Sequence, residues 1–306
     1  GCNRAVNEAS PIVDARLPDG SRVNVVLSPI AVNGPIVTIR RFPDKAVTMD
    51  KLIKWGSISE EAATELMNWV RAGFNIFISG GTGCGKTTFL NVLSGFIPSD
   101  ERVITIEDSA ELQLQKISNL VRMETRNENV EGCNAVSIRD LIKTALRQRP
   151  DRIIVGEVRG SEALDMMTAF NTGHNGSMST GHANRASDML SRLETMILMG
   201  MELPLSAIRQ QIASGIDIMV HLGRLRDKSR HVLEIAEIDG CIEGKVRLHV
   251  LYQFVETGTD DRGRVLGKLE KKGELKHGYK LEAAGIRILQ KKETVFSGKE
   301  ERDPDI

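Results

Sequence analysis

Followed for its apolar and polar positions, the chain changes character several times. Residues 12–42 are rich in Val and Ile, broken at Gly20, Pro29, Gly34 and Pro35, and predict short strands joined by turns. Residues 46–57 read as a linker. Ser57 followed by Glu60 has the form of a capping box, opening a helix that aligns Ile58, Ala62, Leu66 and Trp69 on one face and closes at Gly73. Strand and helix patterns then alternate: strand 75–79, a helix from Lys86, strands 103–106 and 120–125, helix 138–148, strand 152–156, helix 162–171, strand 177–180 and helix 187–199. Such alternation predicts an α/β fold with a largely parallel sheet and helices on its faces. A helix over 204–214 precedes strands at 217–222, 231–238 and 245–255. The expected division is a small N-terminal remnant (1–45), the linker (46–57), a main domain (58–256) and a polar C-terminal extension (257–306), whose last stretch, 297–305, is expected to be disordered.

One segment departs from plain periodicity. The apolar strand ending at Ser79 runs into Gly80-Gly81-Thr82-Gly83-Cys84-Gly85-Lys86-Thr87-Thr88, and a helical pattern follows. The spacing G-x-x-x-x-G-K-T, placed between strand and helix, is that of a nucleotide-phosphate cradle. Its glycines allow the backbone N–H groups to face phosphate oxygens, and the helix N-terminus adds positive potential. Lys86, expected on an exposed loop, is positioned to reach the β- and γ-phosphates, and the Thr87 hydroxyl to ligate Mg²⁺. Cys84, beside Lys86 and near a helix N-terminus, is expected to have a lowered thiol pKa and enhanced reactivity.

Hydrolysis requires acidic groups as well. Two apolar strands end in carboxylates, 103–106 in Glu107-Asp108 and 152–155 in Gly156-Glu157, and in open α/β sheets ligand chemistry gathers beyond the carboxyl ends of strands. Glu157 is assigned to Mg²⁺, through water, and Glu107 to the general base, but the sequence leaves the two roles interchangeable. His182, at the end of another strand, is a candidate γ-phosphate sensor, since its ring can donate to a phosphate oxygen. His174 has a weaker claim.

Composition narrows the class. The 306 residues carry 41 basic and 41 acidic side chains, so no global field would draw the chain to nucleic acid or to an anionic membrane, and aromatic residues make up only 4%. Nucleic acid is therefore not expected as a partner. The four cysteines, Cys2, Cys84, Cys133 and Cys241, have neither metal-ligand spacing nor disulfide density. No apolar run approaches the roughly 18 residues of a membrane span, and a cytoplasmic protein is expected. The chain starts at Gly1, in strand-like sequence, which suggests a longer N-terminal part.

Four boxes in order, 80–88, Ile106-Glu107-Asp108-Ser109-Ala110-Glu111-Leu112, 149–160 and Ser179-Thr180-Gly181-His182-Ala183-Asn184, resemble the Walker A, Asp, Walker B and His boxes of the type II/IV secretion ATPases, most closely the CpaF-like ATPases of Tad/Flp pilus assembly. Residues 13–24 and 191–196 add to the likeness, which covers roughly residues 10 to 255. Two departures stand out: Cys84 replaces a more usual Ser, and the early part of the family's N-terminal domain is not found; Gly156 also stands where many Walker B segments have Asp. The resemblance implies a RecA-like P-loop core preceded by a partial α+β N-terminal domain, a homohexamer and ATP with Mg²⁺ as ligands. It also implies peripheral attachment to the cytoplasmic membrane through polytopic platform proteins. Arg22 and Arg40 match the N-terminal-domain arginines that approach the γ-phosphate, with Arg16, Arg41 and Arg159 in reserve.

Overall fold

The computed structural model describes residues 6–41, 47–126 and 134–286, and divides into two compact units, residues 1–46 and 47–306. Cys2, Cys133 and the 297–305 stretch lie outside the described residues. In the first unit, β1 (Ile12–Arg16), β2 (Arg22–Val26) and β3 (Ile36–Arg40) form an antiparallel sheet in the order β1-β2-β3. The β1–β2 turn is held by Asp19, whose carboxylate accepts from the Ser21 N–H at 2.9 Å and from its hydroxyl at 3.0 Å. Register aligns Arg16, Arg22 and Arg40 across the three strands. Among the described residues this unit has strands and no helix, so the α part of the expected α+β domain is not among them.

The second unit begins with α1 (Met49–Lys54) and α2 (Glu60–Arg71). The region read as a linker is thus partly helical, because Thr48 caps α1 through the Lys51 N–H and Met49 and Leu52 are buried. The predicted capping box also shifts. Ser57 closes α1, its N–H bonding to the Leu52 carbonyl at 2.9 Å while that of Gly56 bonds to Ile53, both bonds of a Schellman motif. Ser59 caps α2 instead, accepting from the Ala62 N–H. At the far end the same motif recurs around Gly73, with Phe74 N–H on the Trp69 carbonyl and the two rings 6.3 Å apart.

The remaining elements are β4 (Ile76–Gly80), α3 (Lys86–Ser94), β5 (Arg102–Glu107), β6 (Asn119–Glu124), α4 (Ile138–Ala145), β7 (Arg152–Val155), α5 (Glu162–Asn171), β8 (Met178–His182), α6 (Ala186–Gly200), α7 (Leu205–Gly215), β9 (Ile218–Arg224), β10 (Arg230–Ile242), β11 (Lys245–Thr259), β12 (Val265–Lys271) and α8 (Tyr279–Ala283). They build a nine-stranded sheet in the order β12-β11-β10-β9-β4-β8-β7-β5-β6. Pairing is parallel from β9 through β4 to β6 and antiparallel from β9 to β12. Helices cover both faces, and β4 shows why: Ile76 and Ile78 enter the core formed with α1, α2 and α3, while Phe77 enters that of α4 to α7. No helix among the described residues is long and apolar enough to cross a membrane.

The expected C-terminal extension is in part a piece of this sheet. Val265 and Leu269 are buried among charged neighbours, so β12 adds an edge strand, and Lys271 ties it to Glu65 of α2 at 2.9 Å. Lys280 of α8 meets Asp217 at 2.6 Å. The apolar positions in β12, Val265, Leu266 and Leu269, do not alternate with its charged ones, so the sequence pattern does not show a strand.

Asn75 secures the base of β4. Its side-chain amide donates to the carbonyls of Phe170 (3.2 Å) and Gly215 (2.8 Å), and its oxygen accepts from the N–H groups of Gly176 (2.9 Å) and Ser177 (3.1 Å). Asn75→Leu leaves four buried backbone groups without partners, each worth about 1–3 kcal/mol when stranded. Chemical denaturation is expected to show a loss of at least about 3 kcal/mol, and a loss below about 1 kcal/mol would remove this residue from its structural role.

Candidate active site

The central strand β4 delivers the chain to the glycine-rich turn. A Cβ on Gly80 would overlap the Leu222 carbonyl of β9 and lie 2.6 Å from the Cys84 sulfur, so only glycine fits there. Gly85, with φ of 98°, turns the chain into α3 through the left-handed region. No side chain caps α3, which leaves its first N–H groups to a ligand. Thr87 is half-buried in its first turn, and Thr82 and Thr88 are exposed beside it.

Lys86 is not exposed, as the sequence reading expected, but 7% accessible. Its ammonium donates to the carbonyls of Gly80 (3.0 Å) and Gly81 (3.1 Å) and to Nδ1 of His182 (3.1 Å). An ammonium only donates, so Nδ1 of His182 carries the lone pair and Nε2 the proton. That Nε2 lies 2.7 Å from Oε1 of Glu157. Burial lowers the pKa values of Lys86 and His182, with the Glu157 charge opposing both shifts. Oε2 of Glu157 is taken by Arg159 at 2.8 Å, and Arg159 also reaches Asp108 at 3.4 Å.

Glu107, the last residue of β5, is 3% accessible. Oε2 accepts from the N–H groups of Glu111 (2.8 Å) and Leu112 (3.0 Å), while Oε1 is buried without a partner. Burial raises its pKa to about 7, against the two backbone bonds. Gly156 now has an explanation: a Cβ there would stand 3.0 Å from Cγ of Glu107. The glycine in place of the usual Asp makes room for the neighbouring strand's carboxylate.

The structure therefore brings Lys86, His182 and Glu157 together at the 80–88 loop, while Glu107 lies at the end of β5 beside Gly156 of the β7 turn. His174 stands apart, its Nδ1 3.2 Å from the Ala169 carbonyl at the end of α5. Arg22 and Arg40 belong to the other unit. Sequence reasoning missed two groups. Ser79 bonds Nδ1 of the buried His221 at 2.9 Å, and Arg230 donates to the Gly83 carbonyl at 2.8 Å. Both partners lie more than 140 residues away in sequence, and no local pattern marks them.

Cys84 corrects an expectation. Its thiol is buried against Gly80, and desolvation pushes its pKa up, outweighing the nearby Lys86 charge. The thiolate it would need for reactivity is disfavoured.

A type II/IV secretion system protein model matches residues 2–292. The chain belongs to that family. Among relatives, it is 36% identical over 265 residues to the type IV secretion system protein PtlH of Bordetella pertussis, covering 78% of each chain. It is 35% identical over 264 residues to a protein of Mycobacterium tuberculosis named for conjugal transfer, covering 84% of this chain and 74% of the relative. The VirB11 ATPase of Brucella suis, solved with sulphate, is 29% identical at a TM-score of 0.50, covering 76% of this chain and 75% of that one. The pilus retraction motor PilT, at 19% identity and a TM-score of 0.52, shares the fold over 89% of this chain and 66% of its own. These likenesses establish a type II/IV secretion-family ATPase; they do not single out the CpaF-like branch.

The donor set also fits Mg²⁺. Among the described residues no group of three or more His, Cys, Asp or Glu side chains is arranged to hold a metal. A nucleotide-borne Mg²⁺ needs only one or two protein oxygens, and the Thr87 hydroxyl with the Glu157 carboxylate offers that hard-oxygen chemistry.

Burial of Cys84 leads to a direct expectation. In the folded protein, peptide mapping after iodoacetamide treatment should find Cys84 modified at least about tenfold more slowly than in the denatured chain. Equal rates would show that the thiol is open.

Proposed function

We propose that this chain hydrolyses ATP with Mg²⁺ and works as the motor of a type IV, conjugation-type secretion machine. The observation that carries the reading is the run of contacts from Lys86 of the 80–88 loop through His182 to Glu157, with a buried oxygen of Glu107 left without a hydrogen-bond partner at the end of β5, the strand beside β7. The loop N–H groups bind the phosphates, with Gly80, Gly81, Thr82, Gly83, Cys84, Gly85 and Thr88 forming the cradle. Lys86 leaves its carbonyl partners for phosphate oxygens. Glu107 takes the proton of the attacking water. Thr87 and Glu157 would hold Mg²⁺, the carboxylate through water. When bound, Mg²⁺ neutralises charge that develops on the transferring phosphoryl group. His182, neutral with its proton on Nε2, reads whether Lys86 has moved.

Family resemblance adds the remaining parts: a homohexamer, polytopic inner-membrane platform proteins as partners at the cytoplasmic face, and Arg22 and Arg40 as sources of transition-state charge. The names of the reported relatives favour conjugation and type IV secretion over Tad/Flp pilus assembly. The pilus reading keeps the same chemistry, and prepilin and platform genes beside this one would favour it.

Lys86→Ala is expected to abolish most phosphate release while the circular-dichroism spectrum is kept; turnover near wild type would refute the site. Glu107→Gln should bind ATP yet turn over at least about 10²-fold more slowly, and Glu157→Gln should weaken the Mg²⁺ dependence. The reverse pattern would exchange the two roles. Arg22→Ala and Arg40→Ala should each lower kcat by about 10³-fold or more with little change in affinity, as loss of an arginine finger does. Unchanged kcat in the double variant would remove the arginines from the mechanism.

pH supplies an independent check. A base must be ionised, so kcat/KM should rise as pH passes about 7 and level off above it. Because the folded pKa of Glu107 lies above its ordinary 4.5, the folded state binds this proton more tightly than the unfolded state does. Its contribution to stability is therefore present at low pH and lost as pH rises from about 4.5 to about 7. A flat kcat/KM profile from pH 6 to 8 would count against Glu107 as the base.

A further inference from the structure

The β9–β10 hairpin extends past the carboxyl end of β4, where the phosphate cradle begins. Leu222 of β9 is the register partner of Gly80, and β9 runs on to Arg224. The hairpin tip is built firmly. Asp227 accepts from the Ser229 N–H (2.9 Å), the Ser229 hydroxyl (2.6 Å) and the Val265 N–H of β12 (2.8 Å). Arg226 forks onto Glu256 of β11 at 2.6 and 2.7 Å. Behind the tip, His231 reaches the Gly56 carbonyl at 2.9 Å.

From this frame Arg230 extends to the glycine-rich turn. Its Nε donates to the Gly83 carbonyl at 2.8 Å, and its Cδ lies 3.6 Å from where a Gly85 Cβ would be. Arg224 is directly opposite it in the β9–β10 pair. Two like charges facing each other across strands oppose pairing, so sheet formation alone does not account for a guanidinium here. The contact does have a geometric consequence. In a planar trans peptide the C=O and the following N–H point in opposite directions. With the Gly83 carbonyl held by Arg230, the Cys84 N–H is turned away from the hairpin, as a phosphate-binding amide in this loop must be.

We propose that Arg230 is a nucleotide-positioning residue: it sets the Gly83–Cys84 peptide so that the Cys84 N–H is fixed as a donor to the phosphates shared by ATP and ADP. The inference rests on the ATP-binding reading above. It concerns the shape of the cradle and not the chemical step, so binding and turnover should separate.

Equilibrium binding of ATP and of ADP with Mg²⁺, alongside steady-state phosphate release, tests it on the full chain as wild type, Arg230→Ala and Arg230→Gln. The glutamine amide nitrogen stands as many bonds from Cα as the arginine Nε, so it can hold the carbonyl without a charge. Arg230→Ala should raise Kd for both nucleotides by the same factor, about tenfold, the size expected for one charge-assisted hydrogen bond, with kcat within about twofold. Arg230→Gln should recover most of the affinity. Unchanged Kd in the alanine variant, with or without a lower Tm, would overturn the proposal. So would a loss confined to ATP, or a glutamine variant as weak as alanine. Wild-type protein that binds neither nucleotide would instead overturn the ATP-binding reading itself, and this inference with it.

Discussion

The structure depends on the placement of β4, and β4 depends on Asn75. A single carboxamide satisfies two carbonyls and two N–H groups drawn from α5, α7 and the turn before β8, and the Asn75 N–H adds a 2.6 Å bond to Asp217. Buried backbone groups must find partners, and here one side chain closes the whole lower end of the strand. Five residues further on, the upper end is built in the opposite way. The first N–H groups of α3 have no capping side chain, and the end of β5 carries a buried oxygen of Glu107 without a hydrogen-bond partner. The same strand is satisfied at one end and leaves backbone donors open at the other.

Much of this was legible because helix and strand periods survive in sequence. The alternation from 75 to 199 predicts the parallel sheet, and the spacing of Gly80, Gly85, Lys86 and Thr87 predicts the glycine-rich turn from β4 into α3. Errors fell where one local signal had two possible uses. Ser57 has the composition of an N-cap, but its N–H was already committed to the Schellman motif that ends α1, and Ser59 took the cap. Cys84 sits beside a lysine, which by itself lowers a thiol pKa; burial against Gly80 reverses the sign, and burial is a tertiary property. The burial of Lys86 has the same origin. Strand β12 was illegible because an edge strand needs few apolar positions once another strand supplies its hydrogen bonds.

The departure at Gly156 is the reverse case, a residue that looked like a loss in sequence and has a positive reason in space. Glu107 and Gly156 lie at the ends of adjacent strands, and the Gly156 N–H bonds to the Ile106 carbonyl at 2.8 Å. A side chain at 156 would meet the Glu107 methylenes. The absence of an Asp at this position and the burial that raises the Glu107 pKa are therefore one packing arrangement, since the glycine lets the carboxyl group lie deep enough to be desolvated.

Charge in the site alternates from Lys86 to neutral His182, Glu157, Arg159 and Asp108. In this arrangement every cation has a protein acceptor, so the site is stable without a ligand even though Lys86 is largely buried. That stability sets a condition on binding. A phosphate must offer Lys86 more than two carbonyls and an imidazole do, and charge-assisted bonds to an anion meet that condition where neutral acceptors do not. Once the ammonium turns to phosphate, Nδ1 of His182 loses its donor, and the ring is held only by its contact with Glu157. The imidazole thus couples the position of the Lys86 ammonium to the Glu157 carboxylate, through two contacts of 3.1 and 2.7 Å.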